Sequence, residues 1–120
     1  MIDRYARAEM KAVWSEESKY EKWLAVELAV CEAWAKAGII PQKDMVKLRG
    51  AKHDLALLNE IFERTKHDMT AFTRSITESL GAEGRWIHLG LTSSDVIDTA
   101  QSLQMVEASD LLLEGIDNLR

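Results

Sequence analysis

The sequence has 120 residues, of which 47% are hydrophobic and 29% are charged, with one proline and six glycines. This composition excludes a disordered chain and a turn-rich β-sandwich, and the length suits one helical domain. The formal net charge of -5 argues against nucleic acid as a partner, because binding to a phosphate backbone needs a surplus of clustered Lys and Arg. From the composition and the length, we expect an all-α protein.

Capping residues and apolar spacing predict two helices at the start of the chain. The first covers residues 6–14, and Ser15 then suits the N-cap of a second helix because Glu16 and Glu17 follow in its first turn. From Tyr20 to Ala37 the apolar residues cover more than one helical face. We expect this long helix to be buried on two sides.

The middle of the chain is predicted to form two further helices. Gly38 suits a position just after a helix C-terminus, and Pro41 suits the first position of a short helix that ends near Arg49. Asp54 is a suitable N-cap for the next helix, which runs through Arg64 with its apolar residues on one face.

Turn and capping residues also predict where the helices of the second half of the chain begin and end. Asp68 is a suitable N-cap for a helix that ends near Gly81, and residues 81–90 are predicted to form a loop because they contain three glycines and no clear period. Thr92 and Asp95 then have the spacing of a capping box, with Asp in place of the usual Glu or Gln.

The last predicted helix keeps an apolar stripe to the final residues, including Leu112, Ile116 and Leu119. No glycine cap or proline stop follows, and the stripe has few partners within the chain. We expect a truncated chain that ends within a helix.

The single cysteine, Cys31, lies in an apolar helical run, so the sequence predicts a buried thiol and no disulfide framework. The N-terminus lacks the apolar core of a signal peptide, and no apolar run is long enough to span a bilayer. These features favour a cytoplasmic protein that does not bind membranes.

Two segments, residues 65–72 and 85–100, contain most of the reactive side chains. Each places a histidine beside hydroxyl or carboxylate groups just before a predicted helix, where unpaired backbone N–H groups and the helix dipole favour anions. His67 and His88 are suited to proton transfer and to anion binding. The pattern predicts an anionic small molecule as the ligand.

Each of these features also has a purely structural interpretation. His67 could flank the cap of a helix, His88 could pack within a loop, and Thr92 could serve only as a cap. A zinc site made from the histidines would also include His53, but it would draw on three segments without HExxH or cysteine spacing. We therefore expect no metal.

Beyond these patterns, the sequence resembles the N-terminal region of the adenylosuccinate lyase family, within the fumarase and aspartase superfamily. The resemblance covers essentially the whole chain, and its most specific parts are residues 65–72 and 86–99. It also rests on the shorter matches Arg4-Tyr5, Trp14-Ser15-Glu16, Trp23-Leu24-x-Val26-Glu27, Glu32-Ala33 and the turn from Gly38 to Pro41.

The resemblance implies a lyase that eliminates fumarate from adenylosuccinate to give AMP, and from succinylaminoimidazole carboxamide ribotide in purine biosynthesis, without any cofactor. It implies that the main acid histidine and the base serine lie beyond this chain, which alone should be inactive. It also implies a cytoplasmic homotetramer built on a shared bundle of long helices. Residues 1–92 would then form an N-terminal all-α domain, and residues 93–120 would begin the bundle.

By the same resemblance, Arg4 and Tyr5 contact the phosphate end of the nucleotide, although their position also suits an ordinary surface pair. Lys66, His67 and Asp68 bind the substrate, and His67 is also the candidate catalytic residue. Lys66 stands where the family also uses arginine, which would bind an anion through two parallel hydrogen bonds.

In the second segment the resemblance implies that Thr92 and Ser93 bind the succinyl carboxylates. His88 would have a binding or charge-balancing role. Two other functions stay open: a superfamily lyase that acts on another succinyl compound or on malate, and a helical interaction module. The module would dock a partner on the face formed by Leu111, Leu112, Leu113 and Ile116.

Overall fold

The structure, a computed structural model, describes residues 2–120, and within that range it is all-α, without strands. The fold class predicted from the sequence is therefore confirmed. Short 3₁₀ helices cover Asp3–Tyr5 and Gly81–Trp86. The α-helices are α1 (Ala8–Val13), α2 (Glu16–Lys36), α3 (Gln42–Leu48), α4 (Leu55–Thr65), α5 (Asp68–Leu80) and α6 (Ser93–Asp117).

Most of the predicted helix ends are confirmed, because their caps form as expected. Ser15 Oγ accepts the Ser18 N–H at 3.1 Å, and one carboxylate oxygen of Asp54 accepts the N–H groups of Ala56 and Leu57. Gly38 follows α2 with a φ of 79°, a left-handed conformation that glycine adopts without a steric penalty.

Three local predictions were wrong. Pro41 is the N-cap of α3 and not its first residue, because its ψ of 139° keeps the backbone extended. Asp68 is the first residue of α5, and His67 is the N-cap. The segment predicted as a loop over residues 81–90 begins with the 3₁₀ helix Gly81–Trp86, whose Gly84 lies against Thr77 of α5.

The core forms around α2, which contacts α1, α3 and α6, so the prediction of a helix buried on two sides is confirmed. Its aromatic residues pack against α5: Tyr20 stacks on Phe72, with 5.8 Å between ring centroids, and Trp23 meets Phe72 edge-on at 5.3 Å. Such a cluster fixes where α5 lies on α2, because large aromatic rings dominate burial energetics.

Helix α6 lies along α2 and α1. Gln104 is buried and donates from Nε2 to the Val13 carbonyl at 2.7 Å, and Lys22 forms an ion pair with Glu107. Helix α6 also exposes apolar side chains at Leu103, Met105, Val106, Leu112, Leu113 and Ile116. No helix among residues 2–120 combines the length and apolar character needed to cross a membrane.

Candidate functional site

One face of α2 holds the turn that follows the second 3₁₀ helix. Glu27, Cys31 and Trp34 are spaced four and three residues apart, so they point to the same side of the helix. Each contacts a different position of the turn formed by residues 86–90. We call these three residues the α2 anchor.

Glu27 makes the strongest contacts of the α2 anchor. Its side chain has 0% exposure, and its two carboxylate oxygens both face His88. Oε2 accepts the His88 backbone N–H at 2.8 Å, and Oε1 lies 2.6 Å from Nδ1 of the same residue. A fully buried carboxylate needs such charge-assisted partners, because its desolvation would otherwise be costly.

His88 adopts a φ of 66°, in the left-handed region that few residues other than glycine enter. The Glu27 carboxylate holds both the backbone N–H and the ring of His88. These two hydrogen bonds therefore keep His88 from relaxing out of the left-handed conformation. The His88 side chain retains 25% exposure. Its ring is therefore fixed from the inside and open to the surface.

The other two residues of the α2 anchor hold the backbone on either side. Cys31 Sγ–H donates to the Trp86 carbonyl at 3.6 Å, and Trp34 Nε1–H donates to the Leu89 carbonyl at 3.0 Å. Burial, followed by the negative charges of Glu27 and Glu32, raises the pKa of the Cys31 thiol to about 11. The thiol therefore stays protonated and acts as a donor at neutral pH.

Helix α3 supports the same turn from a second direction. Asp44, which is buried, accepts the Trp86 Nε1–H at 2.9 Å and pairs with Arg85 at 3.4 Å. The Arg85 guanidinium lies 4.7 Å from the centroid of the Trp86 ring. Trp86 is thus a structural link between α3 and the turn.

The start of α6 has the hydrogen-bonding pattern predicted for Thr92 and Asp95. Asp95 Oδ2 accepts the Thr92 backbone N–H at 2.8 Å, which is the return bond of a capping box. Among residues 2–120, the backbone N–H groups of Ser93 and Ser94 donate to no acceptor. Thr92 is exposed and Ser93 is half-buried. Their hydroxyls and the free backbone N–H groups of Ser93 and Ser94 therefore lie together at the N-terminus of α6, where a ligand can reach them.

The residues predicted around His67 form a separate, exposed turn between α4 and α5. Lys66 ends α4 with a φ of 51°, and its Nζ lies 2.6 Å from Glu63. His67 Nδ1 accepts the Thr70 N–H at 3.2 Å, while Asp68 Oδ1 accepts the Met69 N–H at 2.7 Å. All of these contacts are local.

Hydrogen-bond partners assign different tautomers to the two histidines. His67 Nδ1 accepts a backbone N–H, so a neutral His67 ring bears its proton on Nε2 and can donate outward. His88 Nδ1 lies 2.6 Å from a carboxylate oxygen of Glu27, so a proton on Nδ1 would complete this hydrogen bond and leave Nε2 as the acceptor of a neutral ring. The two side chains therefore offer complementary hydrogen-bonding groups.

The predicted site residues do not form a single cluster in this chain. Within residues 2–120, no hydrogen bond or ion pair joins the Lys66–Asp68 turn to His88 or to the start of α6. Arg4 and Tyr5 are both exposed, and their contact is with each other, at 4.8 Å from the guanidinium to the ring centroid. No grouping of three or more His, Cys, Asp or Glu side chains in the described range could hold a metal ion.

Glu27 was missed as a candidate site residue by the reasoning from sequence. It occurs in an apolar helix, and its partner His88 lies 61 residues further along the chain. The available signal was a lone acidic residue among apolar neighbours on a helix predicted to be buried, since a buried carboxylate needs a partner.

The chain is similar to known adenylosuccinate lyases. Adenylosuccinate lyase from Bacillus subtilis is 48% identical over 118 residues, which cover 98% of this chain and 27% of that protein. Adenylosuccinate lyase from Staphylococcus saprophyticus is 47% identical with the same coverage. The chain thus spans about a quarter of the length of these relatives.

A solved structure shares this fold, and a family model matches most of the sequence. The fumarate lyase from Mesorhizobium sp. BNC1 matches the fold with a TM-score of 0.74 at 24% identity, covering 85% of this chain and 25% of that one. The family model described as lyase matches residues 4–120. Since that match covers nearly the whole sequence, the chain belongs to the lyase family.

Proposed function

We propose that this chain is the N-terminal part of an adenylosuccinate lyase. The enzyme eliminates fumarate from adenylosuccinate to give AMP, and from succinylaminoimidazole carboxamide ribotide, in purine biosynthesis in the cytoplasm. The observation that carries the proposal is the 48% identity to adenylosuccinate lyase across 98% of the chain.

The start of α6 supports this proposal because the reaction requires a site for carboxylates. The free N–H groups of Ser93 and Ser94, together with the Thr92 and Ser93 hydroxyls, can donate to the two succinyl carboxylates. Elimination builds negative charge beside one of these carboxylates, and donors already in place stabilise such charge without reorganisation.

The α4–α5 turn supports a second part of the site. His67 presents Nε2–H outward, and Lys66 adds a positive charge on an exposed side chain. Both groups can donate to an anionic substrate, and His67 is our candidate for a catalytic role. Asp68 is an acceptor in the same turn, so it suits a donor group of the nucleotide.

Arg4 and Tyr5 are assigned to the phosphate end of the nucleotide. Both side chains are exposed, and an arginine can bind a phosphate through two parallel hydrogen bonds. Because the groups at Arg4, His67 and Ser93 are not joined within this chain, we propose that the complete site forms in a homotetramer.

Helix α6 supports assembly through its exposed apolar face, which includes Leu112, Leu113 and Ile116. We propose that residues 93–120 begin a bundle shared between subunits and that residues 1–92 form the first domain. Light scattering coupled to size exclusion should give four times the subunit mass for the complete gene product. A monomer would refute this assembly.

The test of the reaction is the absorbance change when adenylosuccinate is added to the complete gene product. We expect cleavage to AMP and fumarate, and we expect the 120-residue chain alone to be inactive. Argininosuccinate and malate, supplied separately, should not react. Cleavage of one of these compounds in place of adenylosuccinate would transfer the chain to another branch of the family.

Single substitutions test the assigned residues in the complete enzyme. His67→Ala and Ser93→Ala should each lower kcat/KM by about 10²-fold or more, since each removes a donor to substrate charge. Ser79→Ala is the matched control, because the Ser79 hydroxyl donates only to its own helix, at 2.7 Å from the Ile76 carbonyl. Turnover near that of the wild type in both His67 and Ser93 variants would refute their roles.

A further inference from the structure

We propose that Glu27 is a positioning residue, which fixes His88 with a proton on Nδ1 and with Nε2 as the ring atom offered to a ligand. The proposal concerns an interaction that joins the centre of α2 to the turn before α6. Its structural part stands on geometry alone, and its catalytic part rests on the proposed function.

The first step is that Glu27 and His88 satisfy each other. The Glu27 side chain is fully buried, and His88 supplies partners to both of its oxygens, at 2.8 Å from the backbone N–H and 2.6 Å from Nδ1. The backbone N–H can only donate, so the carboxylate is an acceptor on that side. An ionised carboxylate also accepts on the other side, which places a proton on Nδ1.

The second step concerns the free ring nitrogen. Among the described residues, no buried side-chain nitrogen or oxygen lacks a hydrogen-bond partner. His88 Nε2 has no partner in that range, so it must reach the surface. A ligand therefore meets Nε2, and the buried carboxylate fixes the direction in which this atom points.

The third step is the chemistry that follows. A neutral His88 would accept a hydrogen bond or a proton at Nε2. A protonated His88 would donate from Nε2 to an anion, with its charge balanced by the Glu27 carboxylate behind it. In both charge states Nδ1 keeps its proton. Glu27 therefore leaves Nε2 as the one ring nitrogen of His88 that can exchange a proton with the ligand.

The contrast with His67 makes the assignment specific. His67 receives a backbone N–H at Nδ1, so its proton must lie on Nε2. One protein therefore contains both tautomers, each fixed by a different neighbour. This difference supplies an internal control, because a change at Glu27 should affect His88 and leave His67 unchanged.

The test is magic-angle-spinning NMR of the complete gene product labelled with ¹⁵N in its histidine rings. The chemical shifts separate protonated from unprotonated ring nitrogens, and the His88 signals are assigned by their loss in His88→Asn. Asn tolerates a positive φ and can still donate to Glu27. We expect a protonated Nδ1 at His88 and an unprotonated Nδ1 at His67. An unprotonated His88 Nδ1 in the wild-type protein overturns the proposal.

Glu27→Gln gives the second measurement. The amide has one accepting oxygen, which the His88 backbone N–H will occupy, so the amide NH₂ must face Nδ1 and donate to it. The His88 ring should then change tautomer, with its proton on Nε2, while His67 stays as it was. An Nδ1 that remains protonated in a folded Glu27→Gln protein would overturn the proposal.

The catalytic consequence is measured on adenylosuccinate. With Nε2 in the wrong protonation state, Glu27→Gln should lower kcat by about 10²-fold and change KM little. Wild-type kcat in a variant whose tautomer has changed would refute the catalytic part. Failure of the wild-type enzyme to cleave adenylosuccinate would instead refute the proposed function and leave the NMR result standing.

Discussion

The turn containing His67 and the turn containing His88 precede helices of the same fold, yet they are held in opposite ways. His67 bonds only to neighbours within four residues, and its side chain is exposed. His88 is held by a buried carboxylate 61 residues away. A local turn should adapt easily to a ligand, while an anchored turn should keep its geometry before the ligand arrives.

The largest expected difference between the two turns is in stability. His88→Ala leaves the buried Glu27 carboxylate with only one partner, so we expect the free energy of unfolding to fall by about 3 kcal/mol. His67→Ala removes an N-cap and should cost only about 1 kcal/mol. Urea denaturation of both variants makes the comparison, and equal losses would contradict it.

Glycine positions sharpen the same comparison. Gly90 has a φ of +75°, and a Cβ there would lie 3.3 Å from Cζ2 of Trp34. Gly90→Ala should therefore cost about 2 kcal/mol, from backbone strain and a steric contact together. Gly38→Ala is the matched control, because its φ is +79° but no atom lies within 4 Å of the added Cβ. It should cost about 1 kcal/mol.

The α2 anchor can also be weakened at one hydrogen bond while an aromatic ring stays in place. Trp34→Phe removes the Nε1–H donor to the Leu89 carbonyl, which lies 3.0 Å away, and keeps most of the aromatic ring. We expect a loss of about 1 kcal/mol. Hydrogen exchange should become faster in residues 86–91 and stay unchanged in residues 65–70. Faster exchange in both turns would mean that they are not independent.

Lys66 offers a smaller change in the opposite direction. Its φ of 51° is unfavourable for a side chain with a Cβ, so Lys66→Gly should stabilise the fold by about 0.5 kcal/mol. The same substitution removes a positive charge from the proposed site, so KM for adenylosuccinate should rise. Lys66→Met separates the two effects, since it removes the charge and keeps the strain.

The smallest expected effect concerns Cys31, whose thiol should not be alkylated in the folded protein. Since burial raises the pKa of this thiol to about 11, iodoacetamide at pH 8 should leave it unmodified in the folded protein and modify it in urea. Peptide mass spectrometry would detect modification of the folded protein, which would contradict the α2 anchor as described.

The raised pKa of Cys31 also means that the thiol favours folding below its usual pKa, and that this contribution to stability is lost as the pH rises toward about 11.

What the sequence could predict depended on the distance between interacting residues. The caps at Ser15 and Asp54, and the pairing of Thr92 with Asp95, need only residues two or three positions apart. Such local bonds can be inferred from spacing. The assignment of the α5 cap to Asp68 was wrong by one residue, because His67 itself has an acceptor nitrogen and follows the left-handed Lys66.

The rest of the candidate site could not be derived in this way. Contacts of the α2 anchor join residues that are 55 and 61 positions apart, and hydrophobic spacing gives no information on such pairs. The all-α class followed from composition and periodicity, whereas the way in which α2 fixes the turn before α6 required the structure.

The spacing of the α2 anchor also determines where this chain can change in length. Glu27, Cys31 and Trp34 share one face of a helix, so inserting a single residue between any two of them would rotate one group by about 100° relative to the other. One end of the turn would then lose its partner. Residues 49–54, between α3 and α4, carry no such phase requirement, so related sequences should vary in length there and keep α2 free of insertions and deletions.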